Sequence, residues 1–81
     1  MPEVLRRILA HEIVYEGALW RLAIAELRSD GTVETTPFDR ETPGTVFVSG
    51  RVEIEKEKEF FLIKTASKVE TISFHSQSEG V

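Results

Sequence analysis

The sequence predicts a mostly β domain, built as a small antiparallel β-sandwich or rolled sheet of about six strands. The first observation is that two hairpin registers place apolar side chains opposite each other. The second is that one continuous segment places residues of one parity on one face, namely Val46, Val48, Gly50, Val52 and Ile54. The third is that turn signals, clearest at Asp30-Gly31 and Pro43-Gly44, separate these segments.

Residues 3–28 fit two periodicities, and the sequence leaves both interpretations open. As a helix, the segment places Leu5, Ile8 and Leu9 near one face, and its ALWRLAIAEL portion contains good helix formers. As strands, RILAHEIVYEG is rich in β-branched and aromatic residues and ends at Gly17. A glycine in the middle of a helix costs about 1 kcal/mol relative to alanine. The register of the hairpin that follows favours strands.

The first hairpin is closed by the loop Ser29–Gly31. In a three-residue loop that starts with a type I turn, the last residue takes the left-handed conformation, which glycine adopts at little cost. A two-residue Asp-Gly loop would instead place Leu27 opposite a glutamate, with the wrong parity. The three-residue loop pairs Arg28 with Thr32, Leu27 with Val33, and Leu22 with Phe38.

A second turn and a long strand follow. Pro43-Gly44 within ETPG predicts a type II turn, because proline pre-sets the first central φ and glycine supplies the positive φ of the second central residue. The segment TVFVSGRVEIEKEKE predicts one long strand that is bulged or bent at Gly50. The other face of this strand is acidic, which predicts a solvated sheet edge protected by charge. Its members are Glu53, Glu55, Glu57 and Glu59.

The remaining residues predict a second hairpin within one domain that spans residues 1–81, with a polar tail that frays from about residue 75. An ion pair and two apolar pairs select the hairpin register, although the loop around residues 66–68 lacks a clear turn type. The predicted pairs are Lys64 with Glu70, Leu62 with Ile72, and Phe60 with Phe74. The predicted core consists of Ile8, Ile13, Trp20, Leu22, Leu27, Val33, Phe38, Val46, Val48, Val52, Leu62, Ile72 and Phe74.

The composition excludes several classes of protein. The chain has 81 residues and no cysteine, which excludes disulfides, thiolate catalysis and zinc bound by cysteine. Its net charge of −4 and the lack of a basic stripe argue against nucleic acid as a partner. No apolar run approaches the roughly 18 residues of a membrane span. No membrane association is therefore expected, and the predicted location is the cytoplasm.

Candidate catalytic and metal-binding residues are isolated from one another. His11 and His75 lack a second ligand at a suitable spacing, and the adjacent His11 and Glu12 would point to opposite faces of a strand. The acidic strand lacks the ligand spacing of a calcium loop, and the glycines are too scattered for a phosphate loop. No serine lies at a nucleophile elbow. We therefore expect no catalytic residue, no metal and no cofactor, and predict that the protein is not an enzyme on its own.

The segment EFFLI carries large apolar side chains on both faces of a strand. Such a strand has to be covered on both faces, which one small domain does not readily achieve. The sequence therefore predicts a homodimer or a complex with an unidentified protein partner, formed through an apolar patch at Phe60, Phe61 and Ile63 or through a sheet edge. The alternative is a small-ligand or nucleic-acid-binding β-barrel, which needs a concave aromatic surface and, for nucleic acid, positive charge.

Three segments carry a resemblance to a known family, namely ILAHEIVYEG, RLAIAELRSDGTVETTPF and TVFVSG. Their order resembles the N-terminal β-sandwich strands of the metal-dependent amidohydrolase superfamily. It also resembles small bacterial proteins, including ones from gut Bacteroidetes, that carry only this portion. In the superfamily, the strand ending in glycine is soon followed by Pro-Gly and a His-x-His metal pair, whereas here RVEIEKEKEFFLIKT follows Gly50. The resemblance implies a β fold without catalytic residues, and an accessory subunit of a metal-dependent hydrolase is a further alternative.

Overall fold

The computed structural model describes residues 3–40 and 43–74, and in these residues every regular element is a strand. The strands are β1 (Val4–Tyr15), β2 (Ala18–Arg28), β3 (Val33–Pro37), β4 (Thr45–Lys56), β5 (Phe60–Lys64) and β6 (Val69–Ser73). They form one six-stranded sheet with the order β3-β2-β1-β4-β5-β6. The predicted all-β class and the number of strands are confirmed. The tail predicted to fray, which includes His75, lies outside the described residues.

The sheet is mixed, whereas the sequence predicts an antiparallel sheet. β1 pairs with β4 in parallel, while every other pair of neighbours is antiparallel. Because β2 and β3 lie on one side of β1, the chain has to return across the sheet to place β4 on the other side. Arg7 of β1 holds this connection, since its Nη1 donates to the carbonyl oxygen of Pro43 over 3.2 Å. Gly44 has a positive φ of 82°, as the predicted type II turn requires, although residues 41–42 lie outside the described residues.

Residues 3–28 form β1 and β2, as the hairpin register favours. The two strands are connected by Glu16-Gly17, whose φ values of 50° and 79° are both positive. Positive φ at both central positions is the backbone of a type I′ hairpin turn, whose twist matches that of the flanking strands. Tyr15 and Ala18 form the first pair after this turn. The helical alternative for this segment is therefore wrong.

The predicted register of the first hairpin is confirmed. Gly31 has a φ of 88°, as the three-residue loop requires. Its backbone N–H donates to the carbonyl oxygen of Arg28 over 2.9 Å and closes the turn. The predicted pair of Leu27 with Val33 is present in the strand register. The other two predicted pairs are joined by backbone hydrogen bonds of 2.9 Å, one between Arg28 and Thr32 and one between Phe38 and Leu22.

β4 is the predicted long strand with a bulge. Gly50 has a φ of 90°. Between the pairs Ala10–Val48 and Glu12–Arg51, β4 contains one residue more than β1. An extra residue in one strand of a pair is a β-bulge, so the irregularity predicted at Gly50 is confirmed.

The predicted register of the second hairpin is wrong by one residue. Thr65 and Lys68 close a two-residue loop, because the N–H of Thr65 donates to the carbonyl oxygen of Lys68 over 2.9 Å. The Thr65 hydroxyl also accepts a hydrogen bond from the N–H of Lys68 over 3.3 Å. A loop one residue shorter than expected shifts every pair and exchanges the two faces of β5. The observed pairs are Lys64 with Val69, Leu62 with Thr71, Phe61 with Ile72 and Phe60 with Ser73, in place of Lys64 with Glu70, Leu62 with Ile72 and Phe60 with Phe74.

Glu53 and Glu55 of β4 are exposed, and Glu57 and Glu59 lie after the strand, which ends at Lys56. The sequence predicts a sheet edge at these glutamates, but β5 pairs with β4 at Glu53 and Glu55, and the outer strands are β3 and β6. Glu53 lies opposite Lys64 of β5, and the Lys64 ammonium lies 2.9 Å from a carboxylate oxygen of Glu55. The hydrogen bond to Glu55 raises the pKa of Lys64 above its ordinary value. Glu53 and Glu55 therefore lie beside a neighbouring strand and do not protect an edge.

The core is one cluster of apolar side chains from β1, β2, β4 and β5, together with Phe74. Two predicted core residues are wrong, because Leu22 and Val46 are 48% and 46% exposed. The other predicted core residues are buried or half-buried. The buried members of the cluster are Ile8, Ala10, Ile13, Ala23, Ala25, Leu27, Val52, Ile54, Phe61, Ile63 and Phe74.

Two contacts bring β6 and the residue that follows it against the other half of the sheet. Gly31, in the loop between β2 and β3, lies so close to the Phe74 ring that a Cβ there would be 2.8 Å from Cε1. Phe74 follows β6 and packs on Phe61, with ring centroids 4.8 Å apart. Arg6 of β1 forms an ion pair with Glu70 of β6 over 3.4 Å. The core thus lies between the β2–β3 hairpin and the end of β6.

Candidate functional site

Half of β4 has a neighbouring strand on one side only. β4 pairs with β1 from Thr45 to Ile54, but with β5 only from Glu53 to Lys56. In the described part of the chain, no strand pairs with residues 45–50 on the side away from β1. We name this segment, Thr45–Gly50, the open edge. Backbone N–H and C=O groups at an unpaired strand edge are available to bind another strand.

The open edge lacks the charged side chains and prolines by which proteins commonly protect a strand edge. Its sequence, TVFVSG, is uncharged and rich in β-branched and aromatic residues. The outer strand β3, by contrast, carries Glu34 and ends at Pro37. The outer strand β6 carries Glu70, which forms an ion pair with Lys68 over 3.4 Å. The open edge is therefore the least protected strand edge in residues 3–40 and 43–74.

Two large apolar side chains of the open edge are exposed. Val46 is 46% exposed and Phe47 is 54% exposed. Successive residues of a strand point to opposite faces, so the open edge presents one apolar side chain on each face of the sheet. Their partners in β1, Ile8 and Leu9, are both buried. Val46 and Phe47 are exposed because no described strand covers their other side.

His11 of β1 contacts both the bulge and the exposed phenyl ring. Its Nδ1 accepts a hydrogen bond from the backbone N–H of Gly50 over 3.2 Å. Its ring meets Phe47 edge to face, with centroids 5.4 Å apart and planes at 82°, an arrangement that the aromatic quadrupole favours. Because Nδ1 accepts a hydrogen bond, the neutral ring has its proton on Nε2. His11 thereby fixes two residues of the open edge against β1.

The backbone beside His11 is strained in β2. Leu22 lies opposite His11, between the pairs Ala10–Ala23 and Glu12–Arg21, and has a φ of 48°. A residue other than glycine at such a φ costs roughly 1 kcal/mol or more. The extended conformation is therefore interrupted on both sides of His11, at Leu22 in β2 and at the bulge in β4, where the open edge ends.

An ionic network lies on β1, β2 and β3. Arg7 Nε donates to Glu26 Oε2 over 2.9 Å. Arg28 Nη2 donates to Glu26 Oε1 over 2.7 Å and also to Glu34. The hydrogen bond from Arg7 holds the pKa of Glu26 below its ordinary value, and Arg28 acts in the same direction while burial opposes both. Every charge in this network has an opposite partner, so the network supports the sheet and offers no unneutralised charge to a ligand.

Two shallow depressions lie on the surface of the described residues. One, of about 390 Å³, lies between Arg51, Lys64 and Val69. The other, of about 300 Å³, lies beside the ionic network, between Arg7 and Arg40. Residues 3–40 and 43–74 contain no group of three His, Cys, Asp or Glu side chains placed to hold a metal ion. The same residues contain no helix that could span a membrane.

The structure places the predicted interface residues mainly inside the protein. Phe61 and Ile63 are 0% and 2% exposed, and Phe60 is half-buried. The register of the second hairpin is the reason, because it turns Phe61 and Ile63 towards the core. Phe61 and Ile63 therefore stabilise the single chain, and of the three residues only Phe60 has a surface that a partner can contact.

Sequence reasoning does not single out the open edge. It predicts Val46 as a core residue because Val46 shares parity with Val52. The available signal is that TVFVSG, like EFFLI, has adjacent large apolar residues and no charge within its apolar run. Which of these segments is covered depends on where β5 pairs with β4, and β4 alone does not determine this. No model of a known family, no curated protein and no solved structure matches the chain, so the open edge is the feature from which a function is inferred.

Proposed function

We propose that this protein is a non-catalytic protein–protein interaction module that binds an extended segment of its partner at the open edge. The observation that carries the proposal is an uncharged strand edge that no strand in residues 3–40 and 43–74 pairs with, and that exposes Val46 and Phe47 on opposite faces. When a strand adds to a sheet, main-chain hydrogen bonds supply affinity, and side chains that alternate between the faces supply selectivity. The open edge offers both kinds of contact.

β1 holds the open edge in an extended conformation, which favours binding because less conformational entropy is lost. β1 pairs with the edge from Thr45 to Val48. His11 adds the ring contact with Phe47 and the hydrogen bond from Gly50. An incoming strand therefore meets a surface whose backbone is already extended.

We also propose that the sheet is rolled and is not divided into the two layers of a sandwich. The strand order is continuous from β3 to β6. The contact between Gly31 and Phe74 brings the loop before β3 against the end of β6, and the ion pair between Arg6 and Glu70 joins β1 to β6. This shape supports the proposed function, because the core is covered without the side chains of Val46 and Phe47.

Two further functions stay predictions from the sequence. They are a small-ligand or nucleic-acid-binding β-barrel and an accessory subunit of a metal-dependent hydrolase. Retention of the protein on heparin would favour nucleic-acid binding. Metal-dependent hydrolysis that requires the addition of a second, catalytic chain would favour the accessory subunit.

The proposed function is tested with a fluorescent peptide of residues 43–51, PGTVFVSGR, as a probe of the open edge. We expect saturable binding by fluorescence anisotropy and slower amide hydrogen exchange at residues 45–50. The control peptide has proline in place of Val46 and lacks that N–H donor, so it should bind at least about tenfold more weakly. Equal binding of the two peptides, or binding of neither, would contradict strand addition at this edge.

A further inference from the structure

We infer that the partner at the open edge is a second copy of this chain, and that the two open edges pair antiparallel about a two-fold axis at Phe47. The inference rests on the proposed function and adds the identity of the partner. A homodimer with two-fold symmetry needs a surface that is complementary to itself. The open edge meets this requirement in its side-chain pattern, its length and its charge.

The side chains of the open edge match themselves in one register. Antiparallel pairing centred on Phe47 places every residue opposite one of the same parity, so both faces of the sheet continue from one copy into the other. Centring on Val48 would place Phe47 opposite a serine, and centring on Val46 would place Phe47 opposite a threonine. The register centred on Phe47 pairs Gly44 with Gly50, Thr45 with Ser49, Val46 with Val48, and Phe47 with Phe47.

The ends of the open edge limit the length of this pairing. At one end, Pro43 has no N–H to continue a ladder, and the chain leaves the strand there. At the other end, β5 pairs with β4 from Glu53 onward. The two-fold axis exchanges these ends, so Pro43 of one copy lies opposite Arg51 of the other copy, beside the loop between β5 and β6. The pairing is therefore limited to residues 44–50 of each copy.

The charge of the open edge favours a second copy over a charged partner. None of its side chains is charged, so pairing with itself places no like charges opposite each other. The next residue along β4, Arg51, forms an ion pair with Glu12 over 3.0 Å. A charged segment would find no complementary group, whereas a second copy supplies matching valines and a matching phenyl ring. The net charge of −4 per chain opposes association at long range, so added salt should strengthen the dimer.

Sedimentation equilibrium of the intact chain, from micromolar to millimolar concentration, tests the inference. We expect a monomer–dimer equilibrium without larger oligomers, because the pairing uses the open edge of both copies. Val46→Lys should raise the dissociation constant at least about tenfold, since lysine at a strand edge opposes pairing. Val69→Lys is the matched control, because Val69 is a 61% exposed valine on the outer strand β6. This control should leave the dissociation constant within about twofold.

Single cysteines test the register, because the chain has no cysteine of its own. Directly opposite residues of antiparallel strands have Cβ atoms about 5 Å apart, near the separation that a disulfide needs. Phe47→Cys should therefore give a disulfide-linked dimer under mild oxidation. Ser49→Cys would face Thr45 of the second copy and should crosslink at least about tenfold more slowly.

The inference is supported if Val46→Lys weakens the dimer and the Phe47→Cys variant forms a crosslinked dimer. The inference is overturned if the chain stays monomeric at millimolar concentration. It is also overturned if Val69→Lys weakens the dimer and Val46→Lys leaves it unchanged. The peptide of residues 43–51 separates the two proposals. If the peptide binds a chain that stays monomeric, the proposed function is supported and the partner is a different protein. If the peptide does not bind, both the proposed function and the dimer are contradicted. If circular dichroism shows that Val46→Lys is unfolded, the crosslinking rates of Phe47→Cys and Ser49→Cys decide the result.

Discussion

Gly50 and His11 are joined across β4 and β1 by a hydrogen bond in which the Gly50 N–H donates to Nδ1 of the imidazole over 3.2 Å. The bond lies at the bulge where the open edge ends. The same imidazole contacts the ring of Phe47 edge to face. One side chain of β1 thus restrains the backbone and the largest side chain of the open edge.

Replacing His11 should loosen the bulge. His11→Phe keeps an aromatic ring beside Phe47 but removes the acceptor of the Gly50 N–H, which should lower the free energy of unfolding by about 0.5–1 kcal/mol. Hydrogen exchange at Gly50 should become faster in the same variant. His11→Ala removes both contacts and should cost more. Urea denaturation that gives His11→Phe the stability of the unsubstituted protein would contradict this role of the hydrogen bond.

Gly31→Ala should destabilise the protein more than Gly17→Ala. Both glycines have a positive φ, of 88° and 79°, so alanine costs roughly 1 kcal/mol of backbone strain at either position. A Cβ at Gly31 would also lie 2.8 Å from Cε1 of Phe74, whereas nothing in the described part of the chain lies within 4 Å of one at Gly17. The close contact should add about 1–3 kcal/mol. Thermal unfolding followed by circular dichroism measures the difference, and equal melting temperatures would show that the Phe74 ring moves aside freely.

Phe61→Ala should weaken mainly folding, and Phe47→Ala should weaken mainly association. Phe61 is 0% exposed, so its truncation should lower the free energy of unfolding by about 3–5 kcal/mol. Phe47 is 54% exposed, so its truncation should cost the monomer less than about 1 kcal/mol but should weaken the dimer. Urea denaturation at low concentration and sedimentation equilibrium separate the two effects. A fully stable, monomeric Phe61→Ala variant would instead favour the interface that the sequence predicts at this residue.

Stability should decline in acid. Arg7 holds the pKa of Glu26 below its ordinary value through a hydrogen bond, and the charge of Lys68 lowers the pKa of Glu70. A carboxyl group with a lower pKa in the folded state binds fewer protons when folded. It therefore stabilises the fold above about pH 4.5, and this contribution is lost as the pH falls through the folded-state pKa.

Glu26→Gln tests this assignment, because it removes one of the carboxyl groups with a lowered pKa and keeps the shape of the side chain. The decline in the free energy of unfolding between about pH 5 and pH 3 should become shallower. Arg7→Met should have a similar effect, because it removes the donor that lowers the pKa of Glu26. An unchanged pH profile in both variants would show that this ion pair does not contribute measurably to stability.

The sequence by itself determined the features that depend on residues close together in the chain. The register of the first hairpin follows from a three-residue loop that ends in Gly31, because few other residues adopt the required φ cheaply. The bulge at Gly50 follows in the same way, from a glycine that interrupts an alternating strand. For residues 3–28 this register favours strands but leaves the helical alternative open, which the structure decides.

Only the tertiary structure decided which of the strand surfaces are covered. The parallel pairing of β1 with β4 joins segments separated by the whole β2–β3 hairpin, and no local pattern specifies it. The loop closed by Thr65 and Lys68 has no glycine or asparagine signal, and its length turned Phe61 into the core. Side-chain parity determines which residues share a face, but burial depends on which strand lies alongside. Because β5 reaches only as far as Glu53, the uncharged segment Thr45–Gly50 stays open.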